Sequence, residues 1–302
     1  MNAVERIQEL KAKRKAIILA HNYQPPEVQD IADYVGDSLG LSQTAASTDA
    51  EVIVFCGVDF MAESAKILSP EKKVILPDSD AMCPMSAMCT DLELAPVKER
   101  YPEAAIVAYV NTSAAVKALA DVCCTSANAV RVVGKVSQER IIFVPDKNLG
   151  AYVQRFHPEK DIMLWPGHCP THHDISVQNI MDLKRQHPRA KLMVHPECTP
   201  EVIDLADNVS STEGMIGYAK ASEAEELIVG TEVDMTHRLR KEVPGKTFIP
   251  VPGAICPNMK RTTLSSLIKA LEDLSPEILL PPETIEAARK PLQRMMEIGR
   301  GD

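Results

Sequence analysis

The chain has 302 residues, of which 45% are hydrophobic and 25% charged, with a formal net charge of −9. That length can bury a sizeable core in one large domain or in two or three small ones, and the acidic balance excludes nucleic acid as the main partner, since phosphate binding calls for a basic face. No stretch approaches the ~18 apolar residues of a membrane span, and the charged start MNAVERIQELKAKRK lacks the apolar centre of a signal peptide, so a cytoplasmic protein without a membrane partner is expected.

In chain order, the first 15 residues predict a helix with Val4, Ile7 and Leu10 on its apolar face. The strand-like run IILAHNY follows, then helical spacing at Val28, Ile31, Ala32 and Val35, a second strand-like run VIVFCG, and the lead-in VILPDSDAMCP to Cys83-Pro84. The series then starts again: IVAYVNTS, RIIFVPD and IMLWPGHCP at Cys169-Pro170. It runs a third time through LMVHPEC, LIVGTEV and FIPVPGAICP at Cys256-Pro257. Sliding the chain on itself by 88 and then 86 residues lays Val28–Asp33 over Val116–Asp121 and Val202–Asp207. In that register His21, Tyr109 and His195 coincide, as do Ser38, Ser126 and Thr212.

Short apolar runs alternating with helical segments are the mark of βαβ units and parallel sheets. The expected fold class is therefore α/β: three pseudo-threefold-related sandwich domains, each with about four parallel strands, around a central active site. Pro102, Pro188 and Pro276 close the repeats, which gives domains at 1–101, 102–187 and 188–276. Residues 277–302 then form a tail with one helix that packs back on the body.

Ligands of parallel α/β sheets bind beyond the carboxyl ends of the strands, so three such edges facing one axis bring nine repeat-related polar positions together. Proline favours the first helical position, which would make each preceding cysteine an N-cap whose thiolate is favoured by the helix dipole. Three thiolates suit either zinc with an open position or a [4Fe-4S] cluster with one iron free of protein ligands. The cluster is favoured because ligands drawn from distant repeats suit a bulky cofactor, although three buried structural cysteines would share the same spacing. Ser38, Ser126 and Thr212 are either plain N-caps or, with free backbone N–H groups, holders of phosphate or carboxylate. His21, Tyr23, Tyr109, Asn111, His172, His195 and Glu197 add donors and acid–base groups suited to a small anionic substrate. Of the remaining cysteines, Cys56 is expected in the core and Cys89 in a helix. Neighbouring Cys123 and Cys124 cannot easily share one metal with Cys169, and Cys198 lies beside the site without a partner in register.

These motifs resemble the quinolinate synthase family of iron–sulfur enzymes of NAD biosynthesis. The likeness runs through AHNYQ at 20–24, DSLGLS at 37–42, AYVNTSA at 108–114, CTSAN at 124–128, WPGHCPTH at 165–172, HPEC at 195–198 and CPNMKRTTL at 256–264. It implies three α/β domains around a [4Fe-4S] cluster held by Cys83, Cys169 and Cys256. It implies condensation of iminoaspartate with dihydroxyacetone phosphate to quinolinate, with loss of phosphate and two waters. The implied substrate contacts are His21, Ser38, Tyr109, Asn111, Ser126, His195, Glu197 and Thr212, with Tyr23 and His172 close by. Glu197 is the first candidate for general base, with His195, His21, Tyr23 and Tyr109 as its catalytic companions. An iminoaspartate-producing enzyme is the expected functional partner. Two positions depart from the family pattern: the run AMCPMSAMC raises Cys89 as a competing ligand, and Glu213 stands where a small hydroxyl residue is expected. A different iron–sulfur hydro-lyase and a non-catalytic iron or redox sensor are the competing readings.

Overall fold

The computed structural model describes residues 2–302. Twelve strands form three four-stranded parallel sheets, one per repeat. The first holds β1 (Ala16–His21), β2 (Tyr34–Gly36), β3 (Val52–Cys56) and β4 (Lys73–Ile75) in the order β2-β1-β3-β4. The second holds β5 (Ala105–Tyr109), β6 (Val122–Cys124), β7 (Arg140–Val144) and β8 (Asp161–Leu164) in the order β6-β5-β7-β8. The third holds β9 (Lys191–Val194), β10 (Asn208–Val209), β11 (Glu226–Gly230) and β12 (Thr247–Pro250) in the order β10-β9-β11-β12. The identical order in all three bears out the α/β class and the triplication read from the register. Strands β3 and β5 are buried along their whole length, as expected for parallel strands covered on both faces.

The repeated Ala-Asp pair has a structural role that explains its recurrence. Asp33, Asp121 and Asp207 each accept the backbone N–H of a residue in the first strand of their own sheet, Ile18, Ile106 and Leu192, at 2.8 Å every time. Each aspartate's own N–H returns to the carbonyl of that same residue at 2.9, 3.0 and 2.8 Å. One side chain thus fixes the register between the first strand and the segment leading into the second. Asp121→Ala leaves the buried Ile106 N–H without a partner and should cost about 1–3 kcal/mol of stability, whereas Asn, which keeps an acceptor, should cost less. Equal denaturant midpoints for wild type and Asp121→Ala would refute that role.

The second helical segment after each Cys-Pro pair reaches over to the next sheet. Helix Asp91–Arg100 packs on helix Ala114–Leu119, and helix Val177–Gln186 buries Ile180 with Leu192 and Val194. Helix Leu264–Asp273 closes the ring by packing Leu267, Ala270 and Leu271 against Ile7 and Leu10 of the first helix, Ala3–Arg14. Val4, in the first turn of that helix, stays half exposed rather than joining the apolar face. Helix Pro282–Ile298 lies over Ala114–Leu119, β6 and helix Asp59–Leu68, burying Ala288, Leu292 and Met295. Among the described residues no helix is long and apolar enough to cross a membrane.

Candidate active site

The carboxyl edges of the three sheets face one cavity of about 220 Å³. His21 and Tyr109 end β1 and β5, and His195 directly follows β9. Cys83, Cys169 and Cys256 sit on the loops after β4, β8 and β12. All nine repeat-related positions line the cavity, together with Tyr23, Asn111, His172 and Glu197.

The hydroxyl residues are placed differently from simple N-caps. Asp37 caps helix Ser38–Ser47 through the Gly40 N–H at 2.9 Å, and Ser211 caps helix Thr212–Ala221 through the Gly214 N–H at 3.2 Å. Ser38 and Thr212 are therefore the first helical residues, with the capping work done by their neighbours. Ser126 lies in the turn ahead of helix Ala129–Lys135. The hydroxyl of Thr212 accepts a 2.8 Å hydrogen bond from the Asn22 amide, whose nitrogen also lies 3.1 Å from Glu213 Oε1. Asn22, in the AHNYQ run, was not among the expected site residues.

The cysteines also depart from expectation. Only Cys169 is a helix N-cap, and its helix, Pro170–His173, has four residues; Cys83 and Cys256 precede the short 3₁₀ turns Ser86–Met88 and Asn258–Lys260. Helices this short carry little dipole, and burial dominates instead. It pushes the Cys83 thiol up to about 12 and raises Cys169 and Cys256 as well. Thiolate formation at these positions calls for a bound cation's own charge. All three are free of disulfides, and the donor set of three sulfurs from three loops on one cavity fits a cluster with a vacant coordination position. Cys89 is not in a helix: it ends the Ser86–Met88 turn, buried in the hydrophobic core and off the cavity wall, so it does not compete as a ligand. Cys198 is likewise buried among apolar side chains, with its sulfur 3.6 Å from the Gly230 carbonyl.

Glu197 is the electrostatic centre of the cavity. Its Oε2 lies 2.6 Å from His172 Nδ1 and 3.3 Å from His195 Nδ1, while its Oε1 is buried without a hydrogen-bond partner, as is Asn111 Oδ1. Burial alone would raise this carboxyl, but the two imidazoles outweigh it and hold Glu197 well below the usual carboxylate range. An ionised carboxylate only accepts, so His172 donates to it from Nδ1, while its Nε2 lies 2.8 Å from the Thr231 hydroxyl. That hydroxyl in turn lies 2.6 Å from the Tyr23 hydroxyl. The rings of His172 and His195 stack with centroids 4.6 Å apart. Burial, reinforced by the charge of Glu197, raises the hydroxyl pKa of both Tyr23 and Tyr109, which keeps each a neutral donor. The sulfur of Cys169, a ring nitrogen of His172 and an oxygen of Glu197 lie within 4.8 Å of one another, a spacing that one metal ion could also occupy.

His21 accepts the Tyr23 backbone N–H on Nδ1 at 3.2 Å, and burial pushes its pKa down to about 4. Between about 6.5 and 4 the unfolded chain takes up this proton while the native one does not, so stability falls as pH drops through that window, by about 3 kcal/mol in all. His21→Gln keeps an acceptor for Tyr23 but has no proton to gain. Denaturant midpoints at pH 7 and pH 4.5 should therefore fall further apart in wild type than in the variant, and identical pH profiles would contradict the assignment.

A family description for "Quinolinate synthetase A protein" matches residues 5–297. The chain is 54% identical over 296 residues to the quinolinate synthase of Thermodesulfovibrio yellowstonii, covering 98% of each. It is 52% identical over 296 residues to quinolinate synthase 1 of Methanosarcina acetivorans, covering 98% of this chain and 97% of the relative. The chain belongs to the quinolinate synthase family. This membership makes it an enzyme and supports the resemblance drawn from the motifs. Four residues that support the site were not among its expected members: Asn22 and Asp37, which lie in the motifs AHNYQ and DSLGLS, and Thr231 and Arg300; of these Asp37 lines the cavity and the others act on residues that do. Arg300 grips the Asp37 carboxylate with two hydrogen bonds of 2.8 and 3.0 Å, bracing the cap of the Ser38 helix.

Proposed function

We propose that this quinolinate synthase family member condenses iminoaspartate with dihydroxyacetone phosphate to quinolinate, phosphate and two waters, within de novo NAD biosynthesis in the cytoplasm. The observation that carries the reading is the convergence of one cysteine, one hydroxyl residue and one His or Tyr from each repeat on a single cavity. Cys83, Cys169 and Cys256 would hold a [4Fe-4S] cluster. When bound, it supplies an iron without a protein ligand that acts as a Lewis acid toward a substrate oxygen.

The chain's own groups do the rest. Ser38, Ser126 and backbone N–H groups at the helix start hold the triose phosphate, whose charge suits a helix N-terminus. Thr212, oriented by Asn22, and the Asn111 amide meet the carboxylates of iminoaspartate. Glu197 removes protons with its free oxygen while His172 and His195 hold the other one, and Tyr23 and Tyr109 donate protons to departing hydroxyl groups. His21 presents its second ring nitrogen to the substrate. The three units span 1–101, 102–187 and 188–276, with 277–302 as a covering tail. Iminoaspartate is unstable in water, so an aspartate oxidase or dehydrogenase that releases it nearby is the fitting partner.

A second reading rests on the Cys169, His172 and Glu197 group, which could take a single zinc ion. Anaerobically purified protein separates the two readings. A brown protein containing iron and acid-labile sulfide, which forms quinolinate and releases phosphate from the two substrates, supports the proposal. Colourless zinc protein would reject it, and cluster-bearing protein that ignores the triose phosphate would point to another hydro-lyase.

A further inference from the structure

Behind the three cysteines lies a second, repeated set of groups. The backbone N–H of Cys83 donates to Asp59 Oδ1 at 3.0 Å, that of Cys169 to Asp146 Oδ2 at 3.1 Å, and that of Cys256 to Glu232 Oε1 at 3.3 Å. The acid precedes its cysteine by 24, 23 and 24 residues, and in each unit it follows the third strand, β3, β7 or β11. A second stitch accompanies each. The carbonyls of Ala81, Gly167 and Ala254, two residues ahead of the cysteines, accept the N–H groups of Asp59, Lys147 and Val233, all at 2.9 Å. Two bonds therefore fasten every cysteine loop to the loop after the third strand of its own sheet.

The acids are themselves held. Asp146 caps helix Lys147–Gln154 through the Leu149 N–H at 2.8 Å, and Glu232 receives the Asp234 N–H at 2.9 Å and the Lys260 ammonium at 2.7 Å. Asp146 and Glu232 are fully buried. A buried carboxylate is costly unless it is hydrogen-bonded, and here part of each one's bonding capacity goes to a cysteine backbone. The acids contact the cysteine backbones rather than the sulfurs, which leaves the sulfurs themselves free to bind.

We propose that Asp59, Asp146 and Glu232 are positioning residues for the three cysteine sulfurs, each locking the backbone of one cysteine loop so that its sulfur is preset toward the cavity, and that they thereby govern how firmly the cluster is retained. The inference rests on the reading of Cys83, Cys169 and Cys256 as cluster ligands. An N–H committed to a carboxylate is also withheld from the metal's sulfur, so the acid decides the direction in which that loop's donor points.

The test compares wild type, Asp59→Ala and Asp59→Asn, purified anaerobically, by the rate at which iron is released to a ferrous chelator and by thermal melting of the cluster-free proteins. Losing an outer-shell partner typically costs a metal site ~10–100-fold in affinity, so Asp59→Ala should release iron at least about tenfold faster. Asp59→Asn, which keeps an oxygen for the Cys83 N–H, should stay near the wild-type rate, while the cluster-free melting curves of the two variants differ too little to account for the tenfold difference in release. If Asp59→Ala does not fold, Glu232→Ala against Glu232→Gln is read in the same way. Release from the Ala variant at the wild-type rate, or equally fast release from Ala and Asn, overturns the inference. Wild-type protein that holds no iron overturns the reading beneath it, and the inference with it.

Discussion

Cys256→Ala protein, purified without oxygen, should be colourless, retain little iron or sulfide, and form no quinolinate. Among the described residues Cys256 is the one cysteine that the third repeat places on the cavity, beside Cys83 and Cys169 from the other two. Cys198, in the same repeat, has its sulfur buried against the Gly230 carbonyl and cannot swing in as a substitute without breaking its hydrophobic cluster. The variant is also the sharpest test between the two metal readings. A single ion held by Cys169, His172 and Glu197 makes no use of Cys256, so under that reading Cys256→Ala would keep its metal at full stoichiometry. The same contrast applies to Cys83→Ala, whereas Cys169→Ala removes a ligand under both readings and cannot tell them apart. The substitution removes a half-buried thiol on a loop at the margin of the hydrophobic core and leaves no strand altered, so the folded state should survive. Metal retained at the wild-type level in Cys83→Ala and Cys256→Ala would end the three-thiolate reading.

Much of the architecture was legible because triplication supplies an internal control. A polar residue after one strand says little, but His21, Tyr109 and His195 falling in one register predicted a shared location, and all three line the cavity. Errors arose where the answer turned on a single residue. In the pairs Asp37-Ser38 and Ser211-Thr212 both neighbours are equally good caps, and the chain uses the first of each, which moves Ser38 and Thr212 one place into the helix. The helix expected after each Cys-Pro pair shortened to one turn, so the dipole argument lost its basis and burial set the thiols instead. Arg300 was beyond reach for a different reason: its partner Asp37 lies 263 residues away and no local pattern links them. The acids behind the cysteines stood in plain view, ending the runs CGVD, VPD and GTE. They went unread because Asp59 is offset by one position and Glu232 reaches with a longer side chain, so the three do not coincide in register although their hydrogen bonds do.

Glu197→Gln should lower turnover by about 10²–10⁴-fold, the usual contribution of a positioned general base, while leaving iron and sulfide content unchanged. The substitution keeps size and shape, and its amide oxygen can still accept from His172 Nδ1, so the stacked imidazoles and the Thr231 and Tyr23 hydroxyls have no reason to move. What disappears is the buried oxygen that has no partner within the chain, replaced by an N–H₂ group that can only donate. That oxygen is the one acceptor of the carboxylate left for substrate. Ionisation favours the role: with His172 and His195 holding Glu197 well below the usual carboxylate range, it is charged and ready to take a proton throughout the neutral range. A low pKa also makes it a weak base, and the two neutral tyrosine hydroxyls that feel its charge are at hand for the return of protons. Steady-state rates with both substrates, set beside the iron–sulfur absorbance of the same preparations, separate loss of the base from loss of the metal site. Turnover at the wild-type level would remove Glu197 from the chemistry. A parallel fall of turnover and absorbance would make it a guardian of the metal site instead, consistent with its closeness to the sulfur of Cys169.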